Sequence, residues 1–542
     1  MAADQHPTDA AIERFEKSAN GRHTSPSEPL FDSDGRPVIR HVAGDLPEIL
    51  DQSEAALAKD EHLFSYAGGL ARVYPADDLK PGVKRHEGAL MIHPVTSPLI
   101  IELLGRVATH ERYDARAGDW RACDCPKRVA EGLIARAPAY RTIRPLAGFV
   151  ESPTVTADCR LIDAPGYDAE TGLYFAYASI AGYAQPKAKP TRNDAIRAIS
   201  ALRDCLASFP FVDDADRTAM IAGILTAILR RLLSAAPMFA ITAPTPGTGK
   251  TLLCETIAIV ATARRACVMS LGHDDAEMEK RLTGVLLAGD AVIAIDNIER
   301  PLRGDLLCQV TTQQFVRLRP LGGSGMLSIP THAVIIATGN NLAIVGDLKR
   351  RVALIRLDAG TERPEQRDFD TDHLANIAQR RGEIITHALT VVMAYLAAGA
   401  PKIEGLHALG GFEQWDRMVR RPLVWLGMPD PMIAAEGLRD QDPDIEAMRL
   451  LYSSWHAKYG STPVVVADVV AAGMETAPMS GDYTNPDLRD SLQLVCAEKP
   501  NSRRLSGWLR RHQDRIVDGL TVKQCGTDSH TKVARWQVVV CV

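Results

Sequence analysis

Long apolar runs are missing from the 542-residue sequence. Its longest apolar stretches, such as ALTVVMAYLAAGA, are shorter than the roughly 20 residues that a membrane-spanning helix requires. The polar N-terminus, MAADQHPTDAAIERF, also lacks the apolar segment of a secretory signal peptide. These absences predict a cytoplasmic protein that has no membrane partner.

A metal-binding cysteine pattern and a strong net charge are missing as well. Cys123 and Cys125 form a C-x-C pair, but no second Cys or His pair lies near it at the spacing of a zinc site. The ten cysteines are mostly scattered, which is typical of reduced thiols in a cytosolic protein. The formal net charge is −5, so any surface that binds nucleic acid must be local.

The first third of the chain lacks the acids of a nucleotide polymerase. A primase–polymerase domain needs clustered acids for two metal ions, whereas ACDCP has one acid and FDSDG lies in a polar leading segment. We therefore predict no primase activity and interpret this part as an adaptor for oligomerisation or partner recruitment. A separate primase or replication factor stays open as a partner.

The pattern of apolar residues divides the chain into several parts. Residues 238–360 alternate apolar strands with helices, as expected of an α/β ATPase core, and helical periodicity precedes and follows them. We predict an α/β protein with a flexible lead at 1–40, a mixed adaptor at 41–190, helices at 191–235, a nucleotide-binding core at 236–362, a helical lid or connector at 363–435 and a C-terminal module at 436–542.

The stretch APTPGTGKT, residues 243–251, resembles a phosphate-binding loop, with Pro244 in place of its first glycine. Small residues let backbone N–H groups approach phosphates, and the helix that follows directs its positive dipole end at them. Lys250 would contact the β- and γ-phosphates, and the Thr251 hydroxyl would hold Mg²⁺. The alternative is a glycine-rich turn between a strand and a helix. We predict an ATP and Mg²⁺ site formed by Pro246, Gly247, Thr248, Gly249, Lys250 and Thr251.

Two strand ends and an arginine pair extend this candidate site. Asp296 follows the apolar run AVIAI, and an acid at this end of a strand suits Mg²⁺. Asn340 ends the run HAVIIATGN, where an amide can orient the attacking water. Arg350 and Arg351 precede the next strand, and guanidinium groups can stabilise charge on a transferring phosphoryl group. Taken alone, the pair would be a solvated basic turn.

This order of motifs resembles that of superfamily 3 helicases, with the closest likeness to phage and poxvirus primase–helicases. The resemblance covers about residues 100–542 and implies an AAA+-like P-loop core preceded by a helical collar. It implies hexameric rings that move on single-stranded DNA, typically 3′ to 5′, in the replication of a phage or mobile element. It also implies that Lys250, Thr251 and Asp296 bind MgATP, that Asn340 acts as a sensor, and that Arg350 or Arg351 reaches the neighbouring subunit's γ-phosphate.

The water-activating acid departs from the family pattern. Relatives carry a second acid after the metal-binding one, but Asn297 occupies this position and is a poor base. Glu299 is our favoured substitute, because alternation along an extended chain places it on the same side as Asn297. Glu277 and Glu279 are the other candidates. If none serves, hydrolysis would be slow and the protein would act as a nucleotide-gated binder.

Two regions are candidates for contact with DNA. FVRLRPLGGSGMLSIP predicts a hairpin with Arg317 and Arg319 on one face, or a surface hairpin with no ligand. The C-terminal stretch predicts a Ser-capped helix, a strand, a turn and a strand, as in a winged helix. Between residues 499 and 535, nine Lys or Arg face three acids. The predicted phosphate or groove contacts are Arg503, Arg504, Arg510 and Arg511.

These observations favour an ATP-driven helicase that binds single-stranded and double-stranded DNA. One alternative is an ATP-switched DNA-binding initiator or loader that unwinds little, which Asn297 favours. Another is a regulatory or defence ATPase whose winged helix binds protein. Trp508 and Trp536 fit a module core better than a base-stacking surface.

Overall fold

The computed structural model describes residues 30–75, 83–84, 90–176, 180–272, 274–318, 326–367, 372–434, 443–478, 481–496, 500–528 and 533–541. The α-helices are α1 Leu46–Leu57, α2 Ser97–Val107, α3 Lys127–Ala135, α4 Arg192–Asp204, α5 Asp214–Leu229, α6 Lys250–Thr262, α7 Asp275–Ala288, α8 Asp305–Thr312, α9 His373–Gln379, α10 Arg381–Ala397, α11 Glu413–Trp415, α12 Arg421–Trp425, α13 Pro443–Tyr459, α14 Val466–Met474, α15 Pro486–Cys496 and α16 Ser502–His512. Shorter helical turns are Arg230–Leu232, Gly346–Arg351, Pro364–Gln366 and the π-helical Asp416–Arg420.

The strands of the N-terminal part are β1 Val38–Arg40, β2 Leu63–Tyr66, β3 Gly69–Pro75, β4 Val83–Lys84, β5 Leu90–Pro94, β6 Thr109–Asp114, β7 Asp119–Cys123, β8 Gly148–Val150, β9 Thr154–Val155, β10 Leu161–Ile162, β11 Gly166–Asp168 and β12 Leu173–Phe175. The later strands are β13 Met238–Ala243, β14 Cys267–Met269, β15 Val292–Ile295, β16 Phe315–Leu318, β17 Leu327–Pro330, β18 Val334–Asn340, β19 Val352–Arg356, β20 Val464–Val465, β21 Ile516–Val517, β22 Leu520–Thr527 and β23 Ala534–Val540.

A six-stranded sheet in the order β19-β13-β18-β15-β14-β4 forms the centre of the molecule. Its first five strands are parallel, and β4 pairs antiparallel with β14 at one edge. The predicted α/β class is confirmed. Because parallel strands point the same way, the loops after β13, β15 and β18 all leave from one edge.

Helices cover both faces of this sheet, which explains why its strands read as continuous apolar runs. In β13, Phe239 and Ile241 pack into a cluster shared with α5, α6 and α10, whereas Met238 and Ala240 pack into a cluster shared with α7 and α8. The alternation follows from the two-residue repeat of a strand. Rigid packing on both sides fixes the strand ends that carry the candidate site.

The start of α5 is tied to the end of β19 through charged residues. The Asp213 side chain accepts hydrogen bonds from the N–H groups of Ala215 and Asp216, and caps the helix. Arg356 at the end of β19 donates to Asp213 and to the buried Asp216. This network fixes the helix before the central sheet against the strand beside β13.

The N-terminal part contains three small three-stranded sheets, β1-β6-β7, β2-β3-β5 and β11-β12-β8. Residues 30–40 differ from the predicted flexible lead, since β1 pairs in parallel with β6 and completes the first sheet. Glu151 joins this part to the end of α6 and the start of α10, because its side chain pairs with Arg264 and its carbonyl accepts from Arg381. Arg381 also donates to the last carbonyls of α6.

Residues 443–541 form a C-terminal module. Its helices α13, α14, α15 and α16 pack on an antiparallel sheet in the order β20-β23-β22-β21. Trp455, Trp508 and Trp536 are buried in its core, which confirms the core assignment of the last two. The helix cap was predicted wrongly, because Asn501 rather than serine accepts the N–H of Arg504 at 2.9 Å. Within the described ranges, no helix is both long enough and apolar enough to cross a bilayer.

Candidate functional site

The loop between β13 and α6 contains two glycines with left-handed backbone conformations. Gly247 and Gly249 have φ angles of 78° and 101°, which residues with a Cβ rarely adopt. A Cβ at Gly247 would also lie only 2.9 Å from the backbone nitrogen of Glu365. The loop thus needs glycine at both positions, and α6 begins directly after it at Lys250 with no side-chain cap. Such an uncapped helix start presents N–H groups to an anion.

Lys250 is held beside the end of the neighbouring strand. Its Nζ donates to Asn340 Oδ1 at 2.7 Å and to the Thr245 carbonyl at 3.1 Å. Burial lowers the pKa of Lys250, and the charge of Asp296 opposes this shift. Ala243 and Asn340 are register partners across β13 and β18, so strand pairing itself sets this contact.

Asp296 lies one residue beyond β15, on the far side of β18 from the loop. The buried Thr338 hydroxyl donates to Asp296 Oδ1 at 2.5 Å and accepts the N–H of Asn297 at 3.2 Å. Sequence analysis missed Thr338, although a polar residue within the apolar run of β18 was a usable signal. Asp296 thus lies at the same end of the sheet as Asn340, and its charge acts on the pKa of Lys250.

The structure brings Asn297 and Glu299 together. Asn297 has a φ of 52°, a left-handed conformation that asparagine tolerates better than most residues. Its Nδ2 donates to Glu299 Oε1 at 3.3 Å, and both side chains are exposed. Glu277, a competing candidate, is instead paired with Arg281 on α7 at 3.0 Å. Glu279 is exposed on the same helix.

The two arginines differ in their surroundings, although both bond to Asp347. Arg351 is 14% exposed and also donates to the Cys308 carbonyl at 2.8 Å and to the Thr312 hydroxyl at 2.5 Å. Arg350 is 59% exposed and has Asp347 as its only bonded partner within the described part of the chain. Arg351 therefore anchors the turn to α8, whereas Arg350 is available to another molecule.

Two side chains from other parts of the chain, Phe209 and His373, lie beside the candidate phosphate loop and the helix that follows it. Phe209 would contact a Cβ at Gly249 at 3.0 Å, and its ring meets the His373 ring edge-on at 4.8 Å between centroids. His373 Nε2 is 2.8 Å from the Thr256 hydroxyl of α6. Phe209 precedes α5, whereas His373 begins α9. Because the two residues are far apart in the sequence, no local pattern predicts that they contact each other.

The predicted hairpin is present as β16 and β17. Arg317 pairs in register with Ser328, and both are exposed, whereas Val316 and Ile329 are buried beneath them. Arg319 and the glycine-rich tip lie outside the described residues. The structure thus places Arg317 on the exposed face of the hairpin.

All four predicted arginines of α16 are exposed. The helix buries Leu505, Trp508, Leu509 and His512 instead. Among the described residues, no group of three or more His, Cys, Asp or Glu side chains is arranged to hold a metal ion. The Mg²⁺ prediction therefore depends on Thr251 and Asp296 together with the phosphates of a nucleotide.

No protein-family model matches this sequence, and no curated protein is significantly similar to it. Among solved structures, the chain is similar to the A form apo structure of the NrS-1 C-terminal region, with 11% identity, a TM-score of 0.37 and coverage of 81% of this chain and 98% of that one. A second structure, described as "SCCmec type IV Cch - active helicase", gives 13% identity, a TM-score of 0.30 and coverage of 88% and 97%. Similarity this weak carries no functional argument, so the function has to be inferred from the site.

Proposed function

We propose that the protein is an ATP-driven DNA helicase or translocase that acts as an oligomeric ring in the replication of a phage or mobile element. The observation that carries this proposal is the contact of 2.7 Å between Lys250 Nζ and Asn340 Oδ1, with Asp296 on the next strand end. A lysine after a glycine loop, a carboxylate and an amide are the groups that phosphoryl transfer from ATP requires.

The chain's own residues divide the work of hydrolysis. The backbone of residues 246–251 and the Lys250 ammonium hold the phosphates, and the Thr251 hydroxyl and the Asp296 carboxylate would hold Mg²⁺. The bound ion supplies positive charge next to the transferring phosphoryl group. Thr338 fixes the orientation of Asp296. Glu299 takes the proton of the attacking water, while Asn297 holds that carboxylate in place.

The remaining groups connect hydrolysis to assembly and DNA. Arg350 reaches the nucleotide of a neighbouring subunit, because its guanidinium is exposed at a turn between two strands. Arg317 contacts the phosphates of single-stranded DNA from the exposed face of the hairpin. The C-terminal module acts as a winged helix, and the arginines of α16 contact duplex DNA.

A second candidate is an ATP-switched initiator or loader. Asn297 supports it, since an amide follows the metal-binding acid where a second carboxylate would favour fast hydrolysis. In that case the nucleotide would control DNA binding and assembly, and little unwinding would occur.

Strand displacement on forked DNA with MgATP tests the proposal. The full chain should separate the strands, Lys250→Ala should not, and Lys280→Ala, which removes an exposed lysine of α7, should match the wild type. Hydrolysis stimulated by DNA without unwinding would support the loader. If neither hydrolysis nor unwinding occurs, with ATP bound, the helicase proposal is wrong.

A further inference from the structure

The outer side of α16 carries a stripe of two arginines and two small residues. The helix buries Leu505, Trp508 and Leu509 in the core of the C-terminal module. Successive residues are separated by 100° around a helix. The side opposite that buried face therefore presents Arg503, Ser506, Gly507 and Arg510. The two arginines are exposed and the two small residues are half-buried.

Gly507 has no packing role in the module itself. A Cβ at this position would meet no atom within 4 Å, and the residue lies inside a regular helix. Glycine there costs about 1 kcal/mol of helix stability relative to alanine. The module thus carries a destabilising residue at the centre of its most basic face. A glycine at position 507 lets another molecule approach the helix backbone closely, which explains why this residue type is found there.

The four arginines of α16 fall into two classes. Arg504 donates to the Cys496 carbonyl at the end of α15 at 2.9 Å, so its guanidinium lies at the edge of the stripe. Arg511 lies on the same flank as Arg504, seven residues further along the helix. Arg503 and Arg510 make no hydrogen bond or ion pair within the described part of the chain, and both point away from the core.

Two of the three acids in the described residues 500–541 are already paired with arginines outside α16. Asp518 pairs with Arg449 at 2.7 Å, and Asp528 pairs with Arg535 at 2.5 Å. Asp514 follows the end of the helix, in a left-handed conformation with a φ of 64°. The stripe is therefore positively charged and is complementary to a polyanion.

The spacing of the two outer arginines can be compared with the spacing of base pairs in duplex DNA. Arg503 and Arg510 are seven residues apart, which places them two helical turns and about 10.5 Å from one another. Base pairs in B-form DNA are about 3.4 Å apart along the axis. A helix that follows the major groove runs obliquely to that axis, and about seven residues of a zinc-finger helix cover three successive base pairs. The two guanidinium groups therefore span about two base-pair steps.

We propose that α16 enters the major groove of duplex DNA with Gly507 against the base edges, and that Arg503 and Arg510 each read one guanine, about two base-pair steps apart. Guanine presents two acceptors in the major groove, which match the planar fork of an arginine. Arg504 and Arg511 contact the flanking phosphates. The inference takes DNA as the ligand from the proposed function, but it assigns a sequence preference that helicase activity does not need.

Selection from a pool of randomised 20-base-pair duplexes tests this assignment with the full chain in the absence of nucleotide. Bound duplexes should be enriched in two G·C pairs separated by about two steps. Arg503→Ala and Arg510→Ala should each abolish the preference at one of the two positions and weaken binding roughly tenfold to hundredfold. Arg504→Ala should weaken binding to all duplexes alike and lower its dependence on salt.

Gly507→Leu in the full chain separates recognition from folding. The leucine side chain would extend into open space, so the melting temperature of the full chain should not fall, but close approach to the groove should be blocked and duplex binding lost. Lys458→Ala, which removes an exposed lysine of α13, is the control and should bind as the wild type does.

Two results would overturn the inference. One is selection without any base preference; the other is equal, sequence-independent weakening by all four arginine variants, which would indicate phosphate contacts alone. Lys250→Ala distinguishes failure of the helicase proposal from failure of the guanine-recognition proposal. If this variant loses unwinding and keeps the duplex preference, both proposals hold; if the wild type fails to unwind but keeps the preference, only the helicase proposal fails.

Discussion

At the scale of single residues, Asn297 and Glu299 form the exposed pair to which we assign water activation in the proposed function. The backbone at Asn297 is left-handed, so the chain turns sharply and returns Glu299 to within 3.3 Å of the amide. Strand alternation, on which the sequence prediction depended, does not apply at such a turn. The two side chains are neighbours because of this turn and not because of strand alternation.

We expect Glu299→Gln to lower kcat for ATP hydrolysis about a hundredfold, because general-base catalysis typically contributes that much or more. ATP binding should be unchanged, as the substitution leaves the phosphate loop intact. Glu277→Gln and Glu279→Gln should retain normal hydrolysis. If Glu277→Gln is the variant that loses activity, the assignment to Glu299 is wrong.

Arg350 and Arg351 should respond differently to removal. Arg351→Ala loses bonds to Asp347, Cys308 and Thr312, and should lower the free energy of unfolding by about 2 kcal/mol. Arg350→Ala should leave stability within about 0.5 kcal/mol, because the exposed ion pair contributes little, and should abolish hydrolysis. Thermal unfolding and a hydrolysis assay on both variants measure this. Normal hydrolysis in Arg350→Ala would exclude its action on a neighbouring nucleotide.

At the scale of elements, the small sheet β1-β6-β7 contains a buried histidine pair. His41 Nε2 and His110 Nδ1 are 2.9 Å apart, with the rings stacked and Arg128 nearby. Burial, with a smaller contribution from His41, lowers the pKa of His110 to about 4. Both histidines are therefore neutral in the folded protein near neutral pH.

This pair should make the protein less stable in mild acid. In the unfolded chain His110 takes up a proton near pH 6.5, whereas in the folded chain it does so only near pH 4. The free energy of unfolding should fall as the pH drops from 6.5 to 4, by up to about 3 kcal/mol. His110→Gln should show a smaller loss over this interval. Denaturant unfolding of both proteins at several pH values measures the difference, and equal slopes would contradict the prediction.

Another element-scale feature is the attachment of the N-terminal part to α6. Glu151 is buried against Arg264, and Arg381 joins the Glu151 carbonyl to the last carbonyls of the helix. The candidate phosphate loop directly precedes the first residue of the same helix. The N-terminal part is therefore bonded to the end of the helix that starts at Lys250.

At the scale of the whole molecule, the exposed Arg350 is a group that one chain could offer to another. The Arg350 guanidinium is bound to Asp347 and is otherwise exposed. A ring in which each subunit supplies Arg350 to the next would complete the site.

We expect assembly to depend on nucleotide for this reason. Size-exclusion chromatography with light scattering should show a larger oligomer with MgATP than without it. Arg350→Ala should shift that equilibrium towards smaller species, and Lys280→Ala should not. If the wild type and Arg350→Ala each form an oligomer of the same size with and without ATP, the nucleotide does not link the subunits.

The sequence alone determined the α/β class, the phosphate-loop candidate and the strand ends that carry Asp296 and Asn340. These are local signals, because glycine positions, apolar runs and the residue at a strand's end can be recognised within about ten residues. The basic C-terminal helix was recognisable for the same reason, although its cap at Asn501 was missed.

Only the tertiary structure decided which of these residues meet. The strand order β19-β13-β18-β15-β14 sets Asn340 beside Lys250 and lets Thr338 hold Asp296, and this order comes from packing between segments far apart in the chain. Packing likewise makes Arg351 an anchor and leaves Arg350 exposed, although the two are adjacent in sequence. Sequence specifies each side chain's chemistry, whereas long-range contacts determine its neighbours and its exposure to water.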